Sequence, residues 1–189
     1  TGSSPEYTAY LAEGNDPGGI DVGFLVKTAG GRVAVTSVEQ VGLADTFIDP
    51  SDGSVDLLND RPPLVLRATV QGPVTSYPAA VTVINNHLRS LNGAEEDSPT
   101  GVRVRAKRQA QAEFLATYIQ GRQLNDPNEA IVSIGDYNAF AFNDGYGDSL
   151  GTVRGLPAPA DQVVPASPDL VSPDLVDLAE FVAPTDRYS

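Results

Sequence analysis

The stretch Ile131-Val132-Ser133-Ile134-Gly135-Asp136-Tyr137-Asn138-Ala139-Phe140 decides how this chain is read. Its first four residues predict a short strand buried on both sides, and Gly135 lets the backbone turn where the strand breaks. Asp136 and Asn138 stand two apart, so an extended segment points both to one side and offers a carboxylate and an amide to one small volume. A carboxylate there orients a water or holds a cation, and an amide NH₂ donates to an oxygen that gains negative charge during attack. An Asx-type turn closing a strand accounts for the same letters in isolation.

Upstream, the strand Ala79–Asn86 (AAVTVINN) runs straight into His87, the only histidine in the protein. A strand end is where side chains leave the core and face a cleft, which suits a working group, although a lone histidine also serves as a satisfied structural residue. Leu64–Val70 (LVLRATV) has the same strand signature, with Gly72 and Pro73 turning the chain between the two, so they are expected as sheet neighbours. Further upstream, Ile20–Lys27 and Arg32–Val41 predict a hairpin closed by Thr28-Ala29-Gly30-Gly31. Between Gly42 and Pro63 lies a loop carrying Asp45, Asp49, Asp52, Asp56 and Asp60, read as a solvated surface loop with calcium binding as the alternative.

Val102–Gln120 predicts a helix with Ala106, Ala110, Phe114, Leu115 and Tyr118 on one face and Gly121 at its stop. Arg103, Arg105, Lys107 and Arg108 on it are expected on a solvated face, with guidance of a polyanion as the other reading. Beyond Gly151 the chain is proline-rich, with one short helix expected near Pro173–Leu178. The order strands, helix, strand argues for an α/β (α+β) domain in which helices cover sheets.

Composition narrows the function classes. The 189 residues fit one domain with a sizeable core, 41% are hydrophobic, and no apolar run approaches the ~20 residues of a membrane span. The opening Thr1-Gly2-Ser3-Ser4-Pro5-Glu6 lacks the basic start and apolar middle of a signal peptide. With no cysteine, thiolate chemistry is excluded, and any metal must be held by oxygen or by His87. Twenty-five acidic against twelve basic residues give a net charge of −13, which disfavours a passive nucleic-acid-binding module and suits an enzyme that grips phosphate through divalent cations. Ten of the twelve basic residues are arginines, the better residue for bidentate phosphate contacts.

Taken together, Ile84-Asn85-Asn86-His87-Leu88-Arg89-Ser90, the helix with Arg105 and Arg108-Gln109, and Gly135-Asp136-Tyr137-Asn138-Ala139 resemble the endonuclease/exonuclease/phosphatase superfamily of DNase I-like proteins. The G-D-x-N-A stretch is the most specific of these. Arg61-Pro62-Pro63-Leu64, Asn143-Asp144 and Asp186-Arg187-Tyr188-Ser189 are similar to landmarks of its bacterial extracellular nuclease branch, so the resemblance spans roughly Ile20 to Ser189. It implies a four-layer αββα sandwich of two mainly antiparallel sheets, an extracellular or periplasmic location, and metal-dependent hydrolysis of a phosphodiester such as DNA or RNA.

On that resemblance His87 contacts or stabilises the scissile phosphate, Asp136 orients the attacking water, and Asn138 steadies the phosphate or a second ion. Asp136 and Asn138 are the implied ligands of a divalent cation, Mg²⁺ first, with Ca²⁺ or Mn²⁺ as alternatives. Arg61, Asn86 and Arg89 are the implied substrate contacts. The family also carries an Asn and a metal-binding Glu on early strands and a closing Asp-His pair, none of which this chain supplies. Residues 1–189 are therefore expected as one incomplete domain without its own turnover, with 152–189 an irregular segment of that domain. A lipid or inositol phosphoesterase on the same fold, and a non-catalytic binding module, are the competing readings.

Overall fold

The computed structural model describes residues 6–72, 78–158 and 162–186; Thr1–Pro5, Pro73 of the Gly72-Pro73 turn, Pro159 and Arg187-Tyr188-Ser189 lie outside the described residues. Its architecture is mixed α/β, with one four-stranded mixed sheet, two two-stranded sheets and few helices among the described residues. The chain forms two compact units.

The first unit comprises the chain up to Thr46, Leu57–Leu88 and Asp126–Asp136. Strands β1 (Tyr7–Ala12) and β2 (Val22–Lys27) pair antiparallel, and the four-stranded sheet runs β3 (Val33–Gln40), β6 (Leu64–Val70), β7 (Ala79–His87), β8 (Ala130–Asp136). The expected pairing of β6 with β7 holds, antiparallel from Leu64↔Asn85 to Val70↔Ala79. Leu64, Val65 and Leu66 are buried in succession, so β6 has both faces covered, as a central strand needs.

Two sequence expectations fail in this unit. Ile20–Lys27 and Arg32–Val41 do not pair with each other, because β2 takes β1 as its partner and β3 takes β6. The Thr28–Gly31 turn redirects the chain instead: Thr28 N–H bonds the Glu6 carbonyl at 3.0 Å, extending the β1–β2 ladder, and Gly30 and Gly31 follow at positive φ. Nor is β8 buried on both sides. Among the described residues it is an edge strand paired through β7, and its Ile134 is 41% exposed.

The second unit comprises Phe47–Asp56, Arg89–Asn125 and the chain from Tyr137 onward. Within it, the ends of the short strands β4 (Thr46–Ile48) and β5 (Val55–Leu57) bracket a turn in which Gly53 N–H bonds the Asp49 carbonyl. Helix α1 spans Pro99–Asn125, longer at both ends than the sequence suggests, and passes through Gly121 without stopping. Its buried stripe runs through Val104, Ala112, Leu115, Ala116 and Ile119, whereas Ala106, Ala110, Phe114 and Tyr118 of the expected face are only half-buried.

The basic residues of α1 correct both readings offered for them. Lys107 is 2% and Arg108 3% exposed, and Arg105 is also buried. Arg105 Nη1 donates to the Ala94 and Glu96 carbonyls at 2.6 and 3.0 Å, Arg108 Nη1 donates to the Arg89 carbonyl at 2.5 Å, and Lys107 Nζ lies 5.6 Å above the Phe47 ring. Arg103 bridges Asp49 at 3.0 Å and Asp56 at 2.6 Å, so these two aspartates of the acidic loop are ion-paired and Asp49 is buried. Burial of a guanidinium is tolerated when it is paired and hydrogen-bonded, and here the basic residues tie loop backbone to the helix.

The proline-rich region contains a helix the sequence reading missed, α2 (Ser149–Arg154), capped by the Asp148 side chain on Gly151 N–H and closed by Gly155 at φ 84°. A 3₁₀ turn at Leu178–Phe181, capped by Asp177, takes the place of the helix expected at Pro173–Leu178.

Candidate functional site

In the first unit β7 and β8 run parallel, in a register that sets Asn85 beside Ile134, Asn86 beside Gly135 and His87 beside Asp136. Parallel neighbours end on the same side, so the last residues of both strands emerge together. His87 Nε2 lies 3.6 Å from Asp136 Oδ2, with the imidazole 23% and the carboxylate 62% exposed. The Leu88 N–H donates to the Asp136 carbonyl at 3.0 Å and holds the strand ends in line just past the pair.

Asn86 and Gly135 explain this alignment. Asn86 is buried, and its amide nitrogen donates to Ser133 Oγ at 2.9 Å, the Ile134 carbonyl at 3.0 Å and the Ile84 carbonyl at 3.2 Å. The side chain implied as a substrate contact is thus turned inward as a tie between the two strands. Gly135 has φ 124°, and a Cβ there would sit 2.0 Å from the Asn86 carbonyl oxygen. Only glycine lets the two backbones approach so closely.

Arg61, another implied substrate contact, is largely buried. Its Nη2 donates to the Leu88 carbonyl at 3.0 Å and its Nη1 lies 3.6 Å from Asp16 Oδ2. Arg61 therefore braces the backbone immediately after His87. Asp16, its counter-charge, was not singled out by any sequence signal.

These neighbours set the charge on the imidazole. Burial pushes the His87 pKa below that of an ordinary histidine and the Arg61 guanidinium pushes it the same way, against the opposing pull of Asp136 and Asp16. A depressed pKa means the ring is neutral at pH 7 and becomes charged only as pH falls through that lowered value. Because His87 is the sole histidine, its ring Hε1 resonance is a single titration curve. We expect a midpoint below that of an unfolded peptide histidine, moving lower still in Asp136→Asn, which removes a stabilising negative charge; an unchanged midpoint in that variant would separate the two side chains in solution.

Asn138 and Arg89 belong to the second unit. The extended geometry that would have put Asp136 and Asn138 on one side ends at Asp136, and Asn138 occupies a left-handed turn at φ 47°, a conformation asparagine tolerates better than most residues. Arg89 is half-buried, with its backbone N–H donating to Gln111 Oε1 at 2.7 Å and its carbonyl held by Arg108. Further on, Asn143 Oδ1 accepts from Gly145 N–H and Asp144 Oδ1 from Tyr146 N–H, and Asp144 lies 4.0 Å from Arg108. The backbone-binding roles of Arg108 and Gln111 left no trace in the apolar periodicity from which the helix was read.

Among the described residues no three His, Asp or Glu side chains converge on one point, and the carboxylate of Asp136 is exposed. Mg²⁺ commonly binds through one or two carboxylates and several waters. Compared with known proteins, the sequence matches no family model and no curated protein.

Proposed function

We propose that this chain is part of a metal-dependent phosphodiesterase of the endonuclease/exonuclease/phosphatase kind, nuclease-like in substrate, built on the four-layer αββα sandwich of that superfamily and exported from the cell. The observation that carries the reading is the meeting of the sole imidazole with the carboxylate of the G-D-x-N stretch, 3.6 Å apart at the ends of two parallel strands. The motif supplies the residue types, and the strand register supplies their adjacency.

In the proposed reaction the neutral His87 ring donates a hydrogen bond to a non-bridging oxygen of the phosphodiester and stabilises its growing charge. Asp136 accepts a hydrogen bond from the attacking water and orients it toward phosphorus. Asp136 would hold the divalent cation, which would supply charge neutralisation of the phosphoryl oxygens when bound. Arg61 acts indirectly by fixing the backbone after His87. The superfamily's site also uses an early-strand Glu and a closing Asp-His pair.

The test is cleavage of plasmid DNA with and without Mg²⁺, run beside release of phosphocholine from sphingomyelin and of inorganic phosphate from inositol phosphates. For protein extended by its flanking gene sequence we expect Mg²⁺-dependent nicking that weakens with salt. Residues 1–189 alone are expected to turn over at least ~10²-fold more slowly, since groups acting on one phosphate work as a unit. Phosphocholine or phosphate release with DNA left intact would replace the nuclease reading, and rapid hydrolysis by 1–189 alone would overturn the division of the site.

A further inference from the structure

Asp52-Gly53, Asn92-Gly93 and Asp144-Gly145, the places where an Asp or Asn directly precedes Gly, all lie in the second unit. Such a pair can react with its own backbone, because glycine has no Cβ to shield its nitrogen from the preceding side-chain carbonyl. A nitrogen whose N–H is already hydrogen-bonded must first give that bond up. Two of the three junctions are blocked in this way. Gly53 N–H donates to the Asp49 carbonyl at 2.8 Å, and Gly145 N–H donates to Asn143 Oδ1 at 2.9 Å. The carboxylates there are engaged as well, Asp52 Oδ1 by Ser54 N–H and Asp144 Oδ1 by Tyr146 N–H, each at 2.8 Å.

Asn92-Gly93 is different. Asn92 is exposed, and neither its side-chain amide nor the Gly93 N–H has a hydrogen-bond partner among the described residues. A turn closed by Ala94 N–H on the Leu91 carbonyl at 2.8 Å spans the pair, with Gly93 at φ 84°. We infer that Asn92 is a site of spontaneous deamidation in the folded protein. The Gly93 nitrogen attacks Asn92 Cγ and forms the new C–N bond, the Gly93 proton passes through solvent to the amide nitrogen, and that nitrogen leaves as ammonia. A succinimide ring remains. Water then adds to one of the two ring carbonyls and opens the ring to aspartate, or to isoaspartate with its main chain routed through the β-carbon. Either product adds one negative charge to a chain of net charge −13. Isoaspartate also lengthens the main chain by one atom just before Ala94, whose carbonyl the buried Arg105 guanidinium holds at 2.6 Å, so the modified loop pulls on that clamp.

The 1–189 chain is incubated at physiological temperature and neutral pH beside a synthetic peptide of residues 90–95 and the Asn92→Gln chain. Samples are followed by ion-exchange chromatography and by mass and isoaspartyl mapping of their peptides. The expected result is one dominant, more acidic species whose peptide containing Asn92 is about 1 Da heavier. It should form within about tenfold of the rate in the free peptide, the factor that opening one turn-closing hydrogen bond imposes. Asn92→Gln, a change at an exposed side chain, should fold normally and lack this species, because glutamine would have to close a larger ring. Faster deamidation at any other asparagine, isoaspartate at Asp52 or Asp144 ahead of Asn92, or an Asn92 that stays intact while the peptide is consumed would each overturn the inference.

Discussion

Asp136→Asn and His87→Ala are each expected to reduce Mg²⁺-dependent phosphodiester hydrolysis at least ~10²-fold in protein extended by its flanking sequence, with the far-ultraviolet circular dichroism unchanged. The fold should survive because neither side chain is a core element: the carboxylate is 62% and the imidazole 23% exposed. The two variants should differ in kind. Asparagine keeps the shape of Asp136 but gives up the charge, so its defect should include a raised Mg²⁺ requirement. Alanine at 87 removes the proposed donor to the phosphate, so its defect should persist at saturating Mg²⁺ as a fall in kcat. Near-normal rates in either variant would remove that residue from the proposed site.

Gly135→Ala is expected to destabilise the protein by at least ~3 kcal/mol, measured by urea denaturation with an unchanged m-value. Two independent costs combine there. The backbone sits at φ 124°, where side chains are strained, and the added carbon would lie 2.0 Å from the Asn86 carbonyl oxygen and 2.7 Å from the Asn86 nitrogen, neither of which can swing aside. Gly121→Ala is the control. It lies within α1 with nothing inside 4 Å of the added carbon, so alanine should stabilise by about 0.5–1 kcal/mol through helix propensity. Equal effects at the two positions would refute the close approach of β7 and β8.

What was legible in the sequence was local. The strand character of β6, β7 and β8 follows from their β-branched runs, and the turn at Gly135 and the strand-end position of His87 were visible in order and type. Pairing was less legible. β1 was not seen at all, and because an unrecognised strand still needs a partner, β2 was assigned to β3 when it belongs to β1. The buried face of α1 was misjudged for a different reason: apolar periodicity cannot register Arg105, Arg108, Gln109 and Gln111, polar residues drawn inward by carbonyls, amides and hydroxyls of distant loops. In the candidate site the identities of His87 and Asp136 were readable, whereas the inward rotation of Asn86 and the brace between Arg61 and Asp16 depend on contacts across dozens of residues that no short motif encodes.

The parallel junction of β7 and β8 also bears on how the molecule assembles. Neighbours β6 and β7 are joined by a short connection, but His87 and Asp136 are separated by about 50 residues, among them the whole of α1, and loop closure over that span is entropically costly. The imidazole and the carboxylate should therefore come together late in folding, after the antiparallel ladder exists. A chain interrupted during synthesis anywhere before β8 would carry the ladder without its last strand, and so without the Asp136 carboxylate beside His87.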